Sequence, residues 1–413
     1  MSLSSYLETF KDEIRIIDKE LGIEKLTPYL KTEIPHLFKA KELRVVGNLW
    51  NSRERIARAL KIERDDLVRV FEKAIENPVP CEKVSDTPFL QNEITEFDLR
   101  ELPIPKYFKN DAGQYLTSGV VVTEFEGKRN LSFHRMLVID RDKFAIRIVP
   151  RHLYSMHKKA GELKVAICVG VCPSVLLSAA VSANYDVDEL EIASSLREKT
   201  LGERVKEIKI HGLRVPAFAE YIFFGRITQE KAREGPFVDV TGTMDYEREQ
   251  PVLEVDRIYH KDNPVMQALL PGGHEHYLLM GLPREPVIFK SVSQVVPKVL
   301  GVRLTKGSCC WLHGVISIEK QKEGDGKNAA MAAFTGHPSL KKVIVVDHDI
   351  DIYNDSEVEW AVATRFQAHK DLILIKGASG SSLDPSADST TSKVGIDATM
   401  PLKDNEKFRR IEG

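Results

Sequence analysis

Two short stretches of this chain concentrate the residue types that carry acid–base and anion chemistry. In Arg129–Pro150, RNLSFHRMLVIDRDKFAIRIVP, Asn130, Ser132, His134 and Arg135 stand just before an apolar run, and Arg147 and Arg151-His152 follow on the return. In Arg233–Asp239, REGPFVD, Glu234 and Asp239 sit astride a Gly-Pro turn. Carboxylates beside an arginine suit proton transfer on an anionic substrate, because the guanidinium orients the anion while one acid moves a proton. A third group, Asp188-Glu189-Leu190-Glu191, marks a helix start, where the macrodipole favours acidic residues whatever else they do. Taken singly, each group also fits a solvated strand face, an acidic helix cap or a loop charge.

Such residues need rigid carriers. Leu137, Val138 and Ile139, then Phe144, Ile146, Ile148 and Val149, predict a half-buried hairpin across the polar turn Arg141-Asp142-Lys143. From about Tyr115 to Lys290 strands dominate, with Gly119–Thr123, Val165–Val171, Val215–Ala217, Tyr221–Gly225 and Val252–Tyr259 extended and Val175–Val181 a small-residue helix. That density predicts a barrel or sandwich rather than a doubly wound sheet. Residues 1–95 read as helical and mixed. Leu3, Tyr6, Leu7 and Phe10 recur at helical spacing, and Ile14, Ile16 and Ile17 extend the same face. Asn51 or Ser52 caps a second helix and Asp65 or Asp66 opens a third. Two prolines in Leu102–Pro105 force extended backbone. In the last third, helices at Gln294–Leu300, Asn328–Phe334 and Ser356–Phe366 alternate with strands at Trp311–Ile318, Val343–Val346 and Leu372–Ile375, the pattern of an α/β domain. After Gly377 the composition turns to Gly, Ser, Asp and Thr, and a wrapping loop is expected.

Composition removes several classes of function. The 413 residues carry 59 Lys+Arg against 61 Asp+Glu, a net charge of −2, so neither nucleic acid nor a membrane surface is an expected partner. No apolar run has the length of a membrane span, and MSLSSYLETFKDEIR is an amphipathic start rather than a signal peptide, so a cytoplasmic protein is expected. Five cysteines with no CxxC fit buried thiols in a reducing compartment and argue against a zinc site. Neither Gly377-Ala-Ser-Gly380 nor Lys306-Gly307 has the context of a nucleotide-binding loop.

In order along the chain, these clusters resemble one family, the UbiD-type decarboxylases that use prenylated FMN. The matching stretches are Gly47-Asn-Leu-Trp-Asn-Ser-Arg-Glu-Arg55, Asn130-Leu-Ser-Phe-His-Arg135, Val169-Gly-Val-Cys-Pro-Ser174 and Glu234-Gly-Pro-Phe-Val-Asp239. Further on come Val346-Asp-His-Asp-Ile-Asp-Ile352, Leu383-Asp-Pro-Ser386 and Lys393-Val-Gly-Ile-Asp-Ala-Thr399. The resemblance implies an α+β fold in three parts: an N-terminal mixed α/β region over 1–105, a central split β-barrel of flavin-reductase type over 106–292 that binds the cofactor, and a C-terminal α/β domain with a wrapping tail over 293–413.

It also implies residue roles. Glu234, Arg135 and Asp239 fall on the family's catalytic Glu–Arg–Glu network, with Asp239 as proton donor to the carbon that loses CO2. The last acid is Asp here, as in the ubiquinone-pathway members, and Val238 replaces the more usual Gly. A divalent ion, Mn2+ or Mg2+, is implied on Asn130, His152 and Glu191, linking them to the flavin phosphate, and K+ is a further expected cation. Flavin contacts are implied for Phe133, His134, Arg135, Arg147, Ile148, Val149, His152 and Leu153. The implied partners are a flavin prenyltransferase as cofactor supplier, a small unsaturated acid as substrate, and further copies of the chain in a dimer or hexamer. Compact chains with this Asp-ending segment resemble the archaeal members that convert trans-anhydromevalonate 5-phosphate to isopentenyl phosphate. His157, Lys158 and Lys159 are then candidate phosphate contacts. The alternatives are an aromatic acid such as a prenylated 4-hydroxybenzoate as substrate, a non-catalytic flavin-binding protein, or a flavin oxidoreductase. All three catalytic residues are present and no dinucleotide motif is, which disfavours the last two.

Overall fold

The computed structural model describes residues 1–388, 390–403 and 405–408. Its contacts divide the chain into two units, 1–64 with 74–279 and 65–73 with 280–413. The first unit opens with helix Leu3–Thr9 (α1), which buries Leu3 and Tyr6 as the spacing predicts. The expected continuation through Ile16 and Ile17 fails. Arg15–Glu20 is a strand (β1), as adjacent β-branched residues favour, and it pairs in parallel with His36–Ala40 (β2). Antiparallel pairing joins β2 to Leu43–Gly47 (β3). Helix Arg53–Ala59 (α2) follows, with Ser52 as N-cap accepting from the Arg55 N–H.

The strands that carry the site come next: Tyr115–Leu116 (β4), Val120–Phe125 (β5), Lys128–Phe133 (β6), Met136–Val138 (β7) and Lys143–Ile146 (β8). Helix His152–Ala160 (α3), strand Leu163–Val169 (β9), and helices Pro173–Ser178 (α4) and Glu189–Leu201 (α5) lead to the long strand Tyr221–Glu234 (β10). A short ribbon of Phe237–Val238 (β11) and Met244–Asp245 (β12) precedes Arg248–His260 (β13), Val265–Gln267 (β14) and helix His274–Gly281 (α6). A nine-stranded sheet runs β4-β7-β8-β13-β10-β9-β5-β6, with Asn92–Ile94 pairing on β13, while β14 joins β1–β3 by parallel pairing with β3.

The hairpin expected across Arg141-Asp142-Lys143 forms, and the polar stretch ahead of it belongs to a different strand. β7 and β8 pair, with Val138 opposite Phe144 and Met136 opposite Ile146. β6 pairs with β5 instead, Asn130 opposite Thr123. Since β6 ends at Phe133 and β7 begins at Met136, His134 and Arg135 alone connect strands near opposite ends of the sheet path. The two ends therefore approach one another there, although no ladder of hydrogen bonds closes the sheet among the described residues. Beneath this junction the core holds Phe144, Ile146, Val165, Ile167, Phe223, Leu253 and Ile258. Each such side chain contributes about 1.5–3 kcal/mol by leaving water, so the frame under Arg135 is stiff.

The second unit contains helix Glu285–Ser293 (α7), strands Val299–Leu304 (β15) and His313–Ile318 (β16), helix Asp325–Gly336 (α8), strand Lys342–Asp347 (β17), helix Asp355–Arg365 (α9) and strands Leu372–Ala378 (β18) and Thr391–Ala398 (β19). Its sheet order is β15-β16-β17-β19-β18. The helix expected over Gln294–Leu300 is absent: α7 stops at Ser293, Pro297 cannot donate to a helix, and the chain enters β15. The tail is likewise more ordered than its composition predicts. β19 inserts between β17 and β18, parallel to the first and antiparallel to the second. No helix among the described residues is long and apolar enough to cross a membrane.

Candidate active site

Arg135 stands at the junction between the sheet ends. Its Nε and Nη2 donate to Oε1 and Oε2 of Glu234 at 2.8 and 2.9 Å. Nη2 also donates to Asp245 Oδ2 at 2.7 Å, and Nη1 faces Asp239 Oδ2 at 3.5 Å. The guanidinium lies 4.6 Å from the centre of the Phe237 ring, a favourable cation–π arrangement. Glu234 ends β10 wholly buried, and its Oε1 accepts from the Tyr115 hydroxyl at 3.0 Å. That hydroxyl accepts in turn from the Gly235 N–H at 3.1 Å. Gly235 has φ +95°, and a Cβ there would stand 2.8 Å from the carbonyl oxygen of Tyr246, so the turn between the two acids demands glycine.

Pairing of β11 with β12 sets Asp245 opposite Phe237 and returns it to Arg135. Arg248 then holds Asp245 through both Nη atoms, at 3.0 and 2.5 Å. Two guanidiniums thus face three carboxylates. Burial alone would lower the pKa of Arg135, but Glu234, Asp245 and Asp239 raise it, so its charge is permanent. Asp245 is held below its ordinary value because Arg135 and Arg248 outweigh its burial. Asp239 is different. It has the longest arginine contact, its side chain is 25 % exposed against 0 % for Glu234, and its Oδ1 accepts only the neighbouring Val240 N–H, at 2.6 Å. An acid with one loose contact and an open side is the one placed to take and give a proton.

His276 on α6 also bears on this acid. Its Nδ1 accepts from the Gly272 N–H at 3.2 Å, which leaves the ring proton on Nε2. Burial lowers its pKa and the charge of Arg135 adds to this, while the charge of Asp239 raises it. His274, two residues earlier on the same helix, faces Glu33 at 3.7 Å.

A second cluster lies on the other side of the junction. Arg129, buried in β6, donates from Nε to both oxygens of Asp188, at 3.0 and 2.8 Å, and from Nη1 to Glu207 at 2.6 Å. Asp188 is also the N-cap of α5, accepting from the Leu190 N–H at 2.9 Å. Pinned this way, the first helical residue, Glu189, lands beside the next strand residue, Asn130. Glu189 accepts from Asn130 Nδ2 at 3.3 Å and from the Leu131 N–H at 2.9 Å, and His152 Nδ1 lies 3.9 Å from its Oε1. The carboxylate beside Asn130 and His152 is therefore Glu189, two residues before the expected Glu191. Residues two apart on an α-helix point about 200° apart. Glu191 accordingly faces the charges of Asp188, Arg129 and Glu207, and burial raises its pKa.

Glu189 is buried with no Lys or Arg in ion-pair contact among the described residues, an arrangement that calls for a cation. Neighbouring hydrogen bonds leave a donor atom for one. His134 Nδ1 lies 2.9 Å from the Arg147 carbonyl and must donate to it, so Nε2 is an acceptor, 2.9 Å from the Ser132 hydroxyl. Burial pushes the pKa of His134 down to about 4, which keeps the ring neutral. Ser132 has one proton and two acceptors, His134 Nε2 and Asn130 Oδ1 at 3.0 Å. When it serves the imidazole, Asn130 Oδ1 keeps its lone pairs. The Asn130 amide, the Glu189 carboxylate and the His152 imidazole lie side by side, residue types that suit Mn2+ or Mg2+.

The expected flavin contacts divide by burial. Phe133, His134, Arg135, Arg147 and His152 are half-buried around the junction, and Val149 is 40 % exposed. Ile148 and Leu153 are core side chains, and the Ile148 N–H donates to Gln250 Oε1 at 2.8 Å. His157 is excluded as a phosphate contact: it is buried, and its Nε2 lies 3.0 Å from the Thr228 carbonyl. Lys158 is exposed on α3, and Lys159 reaches over the Tyr185 ring, 5.8 Å from its centre. Sequence reasoning missed Glu189, Asp245, Tyr115 and His276. Only Glu189 left a readable signal, since the step from Arg129 to Asn130 matches the step from Asp188 to Glu189.

The same chain is recognisable among known proteins. Residues 82–274 match the 3-octaprenyl-4-hydroxybenzoate carboxy-lyase Rift-related domain and residues 277–398 the C-terminal domain of that family. The anhydromevalonate phosphate decarboxylase of Methanocaldococcus jannaschii is 45 % identical, over 96 % of this chain and 95 % of its own. The UbiD-class enzyme HmfF from Pelotomaculum thermopropionicum, solved in complex with FMN, is 38 % identical and superposes with a TM-score of 0.95, over 100 % of this chain and 97 % of that one. An evolved dimeric form of HmfF in complex with prFMN is 36 % identical, with a TM-score of 0.91 over 100 % and 97 % of the two chains. Arginine-held carboxylates at one end of a sheet are common in proteins; here the likeness runs through both domains from end to end, and the chain belongs to the UbiD family of carboxy-lyases.

Proposed function

We propose that this enzyme decarboxylates trans-anhydromevalonate 5-phosphate to isopentenyl phosphate and CO2, using prenylated FMN and one Mn2+ or Mg2+ ion. The observation that carries the reaction class is the surplus carboxylate at Arg135, with Asp239 the one loosely held and partly exposed acid. Nearly half of the residues match the Methanocaldococcus jannaschii enzyme of that name, which supports the substrate. Asn130, His152 and Glu189 would hold the ion, and the residues flanking His134–Arg135 and Arg147 would receive the flavin at the sheet junction of a split-barrel domain. When bound, the prenylated flavin supplies the electron sink that lets CO2 leave.

The chain's own residues do the rest. Arg135 keeps its charge and orients an anionic substrate. Glu234, bidentate to Arg135 and fixed by Tyr115, prevents that guanidinium from swinging toward Asp239. Asp239 delivers a proton from its free side to the carbon that has lost CO2 and recovers one from solvent. Being one methylene shorter than Glu, Asp239 requires the substrate close to the β11–β12 ribbon.

The reading is tested by giving reconstituted holoenzyme both trans-anhydromevalonate 5-phosphate and a prenylated 4-hydroxybenzoate and following CO2. Release from the phosphorylated acid alone is expected. Release from the aromatic acid alone would overturn the substrate while keeping the reaction class.

A further inference from the structure

Asp239 is held by so little of its own side chain that its position has to come from its backbone. Among the described residues its carboxyl faces Arg135 at 3.5 Å and otherwise accepts only the Val240 N–H. Its main chain turns tightly, with the Asp239 N–H donating to the Thr243 carbonyl and the Gly242 N–H to the Asp239 carbonyl, each at 2.9 Å. The stem of that turn is the β11–β12 ribbon, which has only two residue pairs, Phe237 with Asp245 and Val238 with Met244. An isolated two-stranded ribbon is marginal in water even when longer, so the strand leading to Asp239 needs support from outside.

That support is Asp111, which the chemistry above does not use. Asp111 is 3 % exposed; its Oδ1 accepts the Val238 N–H at 3.3 Å and its Oδ2 the Phe108 N–H at 2.9 Å. Beside it the Ala112 N–H donates to the Pro236 carbonyl at 2.9 Å. Pro236 and Val238 alternate with Phe237 along β11, so residues 111–112 take the main-chain groups that a further strand would take. The supporting segment is itself anchored. The Asp111 N–H donates to the Phe108 carbonyl at 3.1 Å and the Tyr115 N–H to the Pro105 carbonyl at 2.9 Å, while the Tyr115 ring packs on that of Phe237 with centres 4.3 Å apart. Burial raises the pKa of Asp111, and its two N–H partners and the charges of Lys106 and Arg135 oppose this. A carboxylate grips a main-chain N–H more strongly than a neutral oxygen does, which suits a strand end that has to stay in place.

We propose that Asp111 is a positioning residue for Asp239: by holding the Val238 N–H it fixes the backbone from which Asp239 delivers its proton. The inference rests on Asp239 being the proton donor. A catalytic acid has to lie within about 0.5 Å of its productive position, and the short side chain of Asp has little freedom to correct a misplaced main chain.

The test is a double-mutant cycle on reconstituted holoenzyme with the substrate proposed above, read as kcat, KM and flavin content. Asp111→Ala is expected to lower kcat about a hundredfold while KM and flavin content stay near wild type. Asp111→Asn keeps one acceptor oxygen and is expected to lower kcat about tenfold. In the Asp239→Asn background either change is expected to lower kcat by less than about twofold, because no proton donor remains to be misplaced. Losses that multiply through both backgrounds, or flavin lost in step with kcat, would make Asp111 merely structural and overturn the proposal. Wild-type kcat in both Asp111 variants would overturn it as well. If Asp111→Ala does not fold, Asp111→Asn carries the cycle alone. Turnover of Asp239→Asn at the wild-type rate would instead sink the proton-donor reading, so the two failures are told apart.

Discussion

Arg129 and Arg135 stand six residues apart on one stretch of chain, and each gathers carboxylates. Arg129 binds Asp188 and Glu207, and its side chain is 1 % exposed. Arg135 binds Glu234, Asp245 and Asp239, and its side chain is 12 % exposed. Both clusters have one carboxylate more than their guanidiniums. What separates them is slack: both acids at Arg129 contact it within 2.7 Å, whereas Asp239 stands off at 3.5 Å with an open face. The same residue types build a clamp where every contact is short and a proton relay where one is long.

The largest effect is expected from breaking the clamp. Arg129→Met leaves Asp188 and Glu207 buried without a counter-charge, and should cost about 3–5 kcal/mol of stability, measured by urea denaturation. Arg135→Met should cost less stability and yet remove turnover. Equal losses of stability in the two variants would mean that both clusters are structural.

Asp239→Asn is expected to lower kcat by about two to three decades, or roughly 2–4 kcal/mol of barrier, while melting behaviour and flavin content stay near wild type. A wild-type rate in this variant would move the proton donor to Glu234.

At the start of α5 the same contrast can be sharpened with neighbouring acids. Glu189→Gln should weaken metal binding by about a hundredfold, with flavin lost alongside, whereas Glu191→Gln should leave both in place. Metal analysis and flavin absorbance of the purified variants decide it, and the opposite result would restore Glu191 as the ligand.

The smallest effect concerns pH. His134 is held near 4, below its ordinary 6.5, so between those values the unfolded chain binds more protons than the folded one. The contribution of His134 to stability is full above about pH 6.5, falls as pH drops toward 4, and levels off below. For this half-buried ring the loss should be about 1–2 kcal/mol in the apoprotein. It is read as the difference between wild type and His134→Asn in urea midpoints across that range, and parallel curves would remove His134 from the account.

How much of this was legible in the sequence depends on how local the signal is. Ser52 as a cap, the helix start at Asp188 and the strand Leu163–Val169 are set by residues within a turn or two, and they were readable. Arg135, Glu234 and Asp239 were placed by resemblance, and the ion pairs among them agree with their being neighbours. The resemblance points to Glu191 because a motif fixes position along a helix only to within a few residues, while the face depends on the cap. Asp245, Tyr115 and His276 reach the site through a ribbon, a separate strand and a helix, contacts that no local pattern encodes. Ile16-Ile17 was misread because three or four apolar residues fit either period. Thr391–Ala398 was hidden by the Gly, Ser and Asp around it.

That last strand has a consequence for the order in which the protein can be made. Among the described residues β19 is the sole strand paired with β18 and lies between it and β17, so before Thr391–Ala398 has been synthesised, Leu372–Ala378 lacks its partner strand. Helices α7–α9 and strands β15–β17 can collapse during elongation, but the second unit cannot complete its sheet until Thr391–Ala398 has left the ribosome. Loss of Thr391–Ala398 would therefore unmake two strands and leave the apolar edge of Val343–Val346 open to any neighbouring chain.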